Sequence, residues 1–233
     1  VSESAKIVIS RNGPYVIYGD IPVSNQTIVP CEEGGSESYQ DGAQLAAGAT
    51  YALCRCGQTC NAPFCDGTHA KIGFDGTETA SRLPYDEQKT EIEGVDLILE
   101  DARSFCAVAR FCDAHENTWD SMEKTADPEV RARVIHQAAH CPSGRLRLRD
   151  KNTGQTIEPE LPPSIDVLDD PGEDCSGPLW VRGGVTIQSQ DGTPYESRNR
   201  VTLCRCGKSQ NKPFCDGTHV DIKFKAQSQG TGA

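Results

Sequence analysis

A block of sixteen residues, CRCGQTCNAPFCDGTH at 54–69, returns at 204–219 as CRCGKSQNKPFCDGTH. Twelve of the sixteen positions are identical, so the chain contains an internal repeat. Each copy carries three cysteines and one histidine in the spacing C-x-C-x8-C-x3-H. The candidate ligands are Cys54, Cys56, Cys65 and His69 in the first box, and Cys204, Cys206, Cys215 and His219 in the second. These donors constrain the fold more than any apolar pattern. Aromatics are 6% of the 233 residues, and 22 glycines and 14 prolines break up long elements, so cores are expected to be modest. Small modules of that kind depend on a metal or on disulfides.

The repeat reaches beyond the boxes. NGPYVIYGDIPV at 12–23 precedes the first and SGPLWVRGGVTI at 176–187 the second. Both open on Gly-Pro, read as a turn, and continue in alternating β-branched and aromatic residues, the pattern of strands. HAKIGF and HVDIKF follow the boxes, where Ile72 and Phe74, like Ile222 and Phe224, alternate as a further strand would. The stretch SNQTIVPCEEGGSESYQDGAQ reads as a polar, solvent-facing loop, and LPPSIDVLDDPGEDC at 161–175 as an acidic linker. The tail AQSQGTGA reads as unstructured. Between the boxes, EGVDLILED and GRLRLRD alternate as strands. DPEVRARVIHQAAH predicts a helix with Asp127 as N-cap, Pro128 at its first position, and Val130, Val134 and Ala138 on one face. The expected fold class is α+β: two small β-rich units, 1–82 and 161–233, packed against each other, with a small α+β module inserted at 83–160.

Three thiolates and an imidazole suit tetrahedral zinc or a 2Fe–2S cluster with two donors on each iron. The C-x-C pair is tighter than the cysteine spacing of ordinary zinc sites but can place two sulfurs on one iron. The glycines and Asp-Gly turns leave backbone N–H groups for cluster sulfurs. Both boxes resemble the signature of the CDGSH iron–sulfur family, C-x-C-x2-[ST]-x3-P-x-C-D-G-[SAT]-H, with Thr68 and Thr218 in the variable slot. The resemblance, which extends to mitoNEET-like proteins, implies a 2Fe–2S cluster in each box held by the three cysteines and the histidine. Single-box members pair as intertwined homodimers, so two boxes in one chain imply an internal pseudo-twofold pair. Asp66 and Asp216 read as turn residues, and Cys60, replaced by Gln210 in the second box, as a bystander.

Three further cysteines, Cys106, Cys112 and Cys141, lie in the central segment, the last followed by Pro142. The pattern resembles single-cluster ferredoxins, both those holding 3Fe–4S on three cysteines and a divergent 4Fe–4S type. Ala109 stands where a further cysteine would fall. Buried apolar cysteines are the competing reading. Cys31, Cys175, His115 and His140 are the candidates for a fourth ligand, although His136 and His140 on the predicted helix read as solvated.

A formal charge of −11 disfavours nucleic acid, which takes a basic face. It suits docking to redox proteins with basic faces. VSESAKIVIS lacks the layout of a secretory signal, and the longest weakly polar run is too short to span a bilayer. Clustered thiols then point to a reducing cytoplasm. No phosphate loop, dinucleotide fingerprint or nucleophile–base pair is evident, so the expectation is an electron carrier rather than an enzyme, monomeric or homodimeric. A cluster donor, a redox or pH sensor, and a zinc-stabilised interaction module are the alternatives.

Overall fold

The computed structural model describes residues 5–227. The first third forms strands β1 (Lys6–Ile9), β2 (Tyr15–Tyr18), β3 (Val23–Pro30), β4 (Ser36–Leu45) and β5 (Thr50–Leu53), then the short helical turn α1 (Thr68–Lys71). The middle contributes α2 (Tyr85–Gln88), β6 (Thr90–Glu93), β7 (Leu97–Asp101), α3 (Thr118–Ser121), α4 (Pro128–His140), β8 (Leu146–Asp150) and β9 (Thr156–Ile157). The last third adds β10 (Ser164–Asp170), β11 (Cys175–Arg182), β12 (Thr186–Ser189), β13 (Arg200–Leu203) and the turn α5 (Thr218–Asp221). The chain is mixed α+β and dominated by strands.

Three sheets result, ordered β12-β1-β2-β5, β13-β11-β10-β3-β4 and β6-β7-β8-β9. The first two are woven from both ends of the chain, with β1 parallel to β12 and β3 parallel to β10. Their apolar faces share one core, in which Ile7, Tyr15 and Ile17 meet Ile165, Leu179, Val181 and Leu203. Burying each of these side chains contributes about 1.5–3 kcal/mol, and the core draws on both ends of the chain. The third sheet has its own core, where Leu97, Leu99, Leu146 and Leu148 pack on Val134 and Ala138 of α4. As the sequence predicts, Asp127 caps α4 by accepting from the Glu129 amide, with Pro128 in the first turn.

Four expectations from the sequence are corrected. The solvent loop at 24–44 is the β3–β4 hairpin, and Ile28 is buried within it. The acidic linker is β10, a strand inside the second sheet. Its Asp166 accepts from Ser24 (2.7 Å) and pairs with Arg182 (2.7 Å), so acidity there reflects paired charge rather than exposure. Gly177–Pro178 forms no turn. It lies in β11 where the register slips against β10, a bulge that accommodates a residue with no N–H. The strands expected after the boxes are the helical turns α1 and α5, and Ile72 and Ile222 are 50% and 47% exposed. Phe74 and Phe224 instead donate their amides to the carbonyls of His69 and His219, closing each turn around its histidine. The expected unstructured tail falls mostly on residues 228–233, outside the described residues.

Candidate metal centres

Each box begins where a strand ends. Leu53 of β5 bridges Phe64 and Leu203 of β13 bridges Phe214, folding the two halves of each box together. Cys54 and Cys204 then donate their amides to Pro63 O and Pro213 O, while Cys65 and Cys215 donate to Ala52 O and Thr202 O. The hydroxyl of Thr59, and of Ser209 in the second box, donates to the carbonyl of Phe64 or Phe214 at 2.7 Å, which explains the Ser/Thr position. Asp66 accepts from the Cys60 and Thr68 amides, and Asp216 from those of Gln210 and Thr218. Both are turn residues, as the sequence suggests.

This scaffold delivers the donors in pairs. Cys54 and Cys56 sulfurs lie 3.6 Å apart, as do those of Cys204 and Cys206. Cys65 Sγ is 3.2 Å from His69 Nδ1, and Cys215 Sγ is 3.3 Å from His219 Nδ1. Among the described residues, no three His, Cys, Asp or Glu side chains converge as ligands of one ion would. Within each C-x-C pair the shared hydrogen bond holds one thiol down, Cys54 or Cys204, and pushes its partner up. A cation beside the pair would favour loss of the second proton. Burial pushes His219 down to about 4, leaving the neutral imidazole that a metal requires.

The boxes also touch each other reciprocally. A Cβ on Gly57 would lie 2.5 Å from Cys206 O, and one on Gly207 would lie 2.5 Å from Cys56 O. Both glycines have positive φ, 75° and 77°, so no other residue fits on either count. The arginine inside each C-R-C is buried, a role the sequence signalled only by repeating it. Arg55 donates to Ser10 O and Gly76 O. Arg205 donates to Leu168 O (2.7 Å) and Gly177 O (2.6 Å), the carbonyls freed by the β11 bulge. Tyr15, far away in sequence, donates to Cys204 O and Pro213 O, both at 2.9 Å. No local signal marks that role.

The acid response of the second box follows from Asp216. Burial alone would raise its carboxyl, but bonds from the Thr218 hydroxyl and the two amides outweigh it and hold the group below its ordinary value. A depressed folded-state pKa stabilises fully above the unfolded value of about 3.9, and that stability is lost as pH falls through the folded value. Below about pH 4, Tm should therefore fall more steeply for the wild type than for Asp216→Ala. Parallel Tm–pH curves would remove Asp216 from this role.

The middle segment brings its three cysteines together. Cys106 follows a turn at Arg103–Phe105, Cys112 lies in the turn Phe111–Asp113, and Cys141 caps the C-terminus of α4. All three line a cavity of about 480 Å³ with Ala109, Asp113 and Pro142. Burial pushes the Cys112 thiol up. The suggested fourth ligands do not reach it: Cys31, Cys175, His115 and His140 are absent from the lining. Of the two helix histidines, His136 is exposed as expected, while His140 is half-buried, stacked on Tyr39 and tilted against Phe111, with its Nδ1 2.8 Å from His136 O. Cys141 is held from the far side by Arg200, whose Nη1 donates to its carbonyl.

Residues 12–70 and 176–220 match the family model described as iron-binding zinc finger CDGSH type, and residues 92–151 match divergent 4Fe–4S mono-cluster. The two boxed regions are of the CDGSH type. The mono-cluster match covers Cys106, Cys112 and Cys141, so the chain joins two CDGSH regions to a third iron–sulfur-binding region. No curated protein and no solved structure gave a match. No helix among the described residues is long and apolar enough to cross a membrane.

Proposed function

We propose that this chain is a multi-cluster iron–sulfur protein that carries single electrons between redox partners. Each box holds a 2Fe–2S cluster, one iron on the C-x-C pair and the other on the cysteine–histidine pair. The central cavity, in a ferredoxin-like module, holds a cluster of three or four irons on Cys106, Cys112 and Cys141. The observation that carries this reading is the pairing of donors in each box. One zinc ion would draw four donors to one point about 2.0–2.3 Å from each, whereas two pairs suit two irons. The reciprocal contact of Gly57 and Gly207 with the opposite Cys-x-Cys backbone supports a pseudo-twofold arrangement of the boxes.

Bound there, the clusters supply one-electron chemistry. The protein's own residues position the sulfurs and the imidazoles, and none need act as acid, base or nucleophile. The acidic surface, −11 in formal charge, suits weak and fast docking to basic redox proteins. A second reading, delivery of a cluster to an acceptor, is favoured for the first box because Cys65 and His69 are only half-buried.

Iron, sulfide and zinc analysis with EPR, on protein purified without air, tests the proposal. Roughly seven irons with an oxidised-state 3Fe–4S signal, or roughly eight with a 4Fe–4S signal on reduction, is the expected result. About four irons would confine the clusters to the boxes. Stoichiometric zinc without iron, after iron-replete expression, would overturn the redox reading.

A further inference from the structure

The two boxes share a backbone but not a cover. A Cβ built on Gly67 would meet nothing within 4 Å, whereas one on Gly217 would lie 2.2 Å from Cγ2 of Val108. Val108 belongs to the central segment running from Cys106 to Cys112. Next to it, Asn211 Nδ2 donates to Ser104 O (3.2 Å), and the rings of Phe105 and Phe214 lie 6.5 Å apart. Phe214, Cys215, Gly217 and His219 are accordingly buried, while Phe64, Cys65, Gly67 and His69 are partly open.

The covering segment is strained and pinned. Val108 and Arg110 have φ of 56° and 59°, a conformation that is costly for residues with a side chain and most of all for a β-branched one. Such geometry persists only where its surroundings impose it. Here Arg110 forms two bonds, 2.7 and 2.9 Å, to the buried carboxylate of Asp170, whose strand leads into the second box's sheet.

We propose that segment 106–112 is a cap on the second box, and that the two boxes are functionally unequal. The first box is the exchange site, from which iron and sulfide pass to an acceptor. The second box retains its cluster. Exchange swaps the chain's thiolates and imidazole on iron for the acceptor's thiolates and changes no electron count. The assignment rests on the iron–sulfur reading of the boxes.

Holo-protein challenged with an iron chelator, with native thiol alkylation followed by mass spectrometry, tests it. Cys65 should be alkylated on the order of tenfold faster than Cys215, because release behind a cap waits on local opening. Val108→Gly removes the covering side chain and tolerates the positive φ, so folding is not at risk. This variant, and Arg110→Ala, which frees the pin, should bring Cys215 towards the rate of Cys65. Equal rates in the wild type, or an unchanged Cys215 rate in both variants, would overturn the cap. If analysis before the challenge finds no iron or sulfide, the functional reading fails. The alkylation contrast between Cys65 and Cys215 still decides the cap in that case.

Discussion

Replacing Arg200 with alanine should cost about 3–5 kcal/mol of stability, the scale for removing one partner of a buried charge network. Arg200 is 1% exposed. Its Nη1 donates to the carbonyls of Ala138, Ala139 and Cys141 at 2.6–2.9 Å, and its Nη2 to Leu146 O at 3.1 Å. The first three belong to the last turn of α4, where a helix leaves its carbonyls without intrahelical partners. A cation there also meets the negative end of the helix dipole. Glu158 neutralises the guanidinium from the opposite side, with contacts of 2.6 and 3.1 Å. Alanine would take the side-chain donor from Ala139 O and Leu146 O and the second donor from Ala138 O and Cys141 O, and would leave Glu158 without its cation, bonded only to Asn199. Because Arg200 begins β13, which leads into Cys204, the loss should loosen both the second box and Cys141. Arg200→Lys should recover little, since an ammonium cannot reproduce the fork. Denaturant melting measures the effect, and a loss under about 1 kcal/mol, the size of one ordinary hydrogen bond, would mean that the network is not what joins the segments.

Replacing His69 and His219 with cysteine should lower the reduction potential of the box clusters by on the order of 100 mV or more, by analogy with the gap between histidine-bearing and all-cysteine 2Fe–2S centres. A thiolate adds negative charge to a cluster that must accept an electron, whereas a neutral imidazole adds none. The geometry allows the substitution, because each histidine ring already lies against its neighbouring cysteine sulfur. Dye-mediated potentiometry with EPR on the single variants measures each box in turn. An unshifted potential in either variant would show that its histidine does not ligate iron.

The boxes were legible because their chemistry is local. Each loop closes within sixteen residues through Asp66 or Asp216, a Ser/Thr hydroxyl and an Asp-Gly turn, so residue type and spacing carry the arrangement. Helix α4 was legible for the same reason, with its cap and first-turn proline adjacent to the apolar face. Residues 164–170 were misread because their aspartates look solvated until Ser24, Arg110 and Arg182 arrive from elsewhere in the chain. Ile72 and Ile222 were misread because period-two spacing over three residues fits a strand and a helical turn equally well.

The sequence by itself determined the number of boxes, the spacing of three cysteines and a histidine in each, the central trio of cysteines and the net negative charge, all properties of residue type and short spacing. Only the tertiary structure decided how β1 and β3 pair with strands more than a hundred residues away. It alone decided that Tyr15 and Arg200 support the backbone of Cys204 and Cys141, and that Val108 covers one box and leaves the other open. Those contacts depend on which segments long-range packing brings together. Two nearly identical sixteen-residue motifs therefore cannot reveal, by themselves, that their surroundings differ.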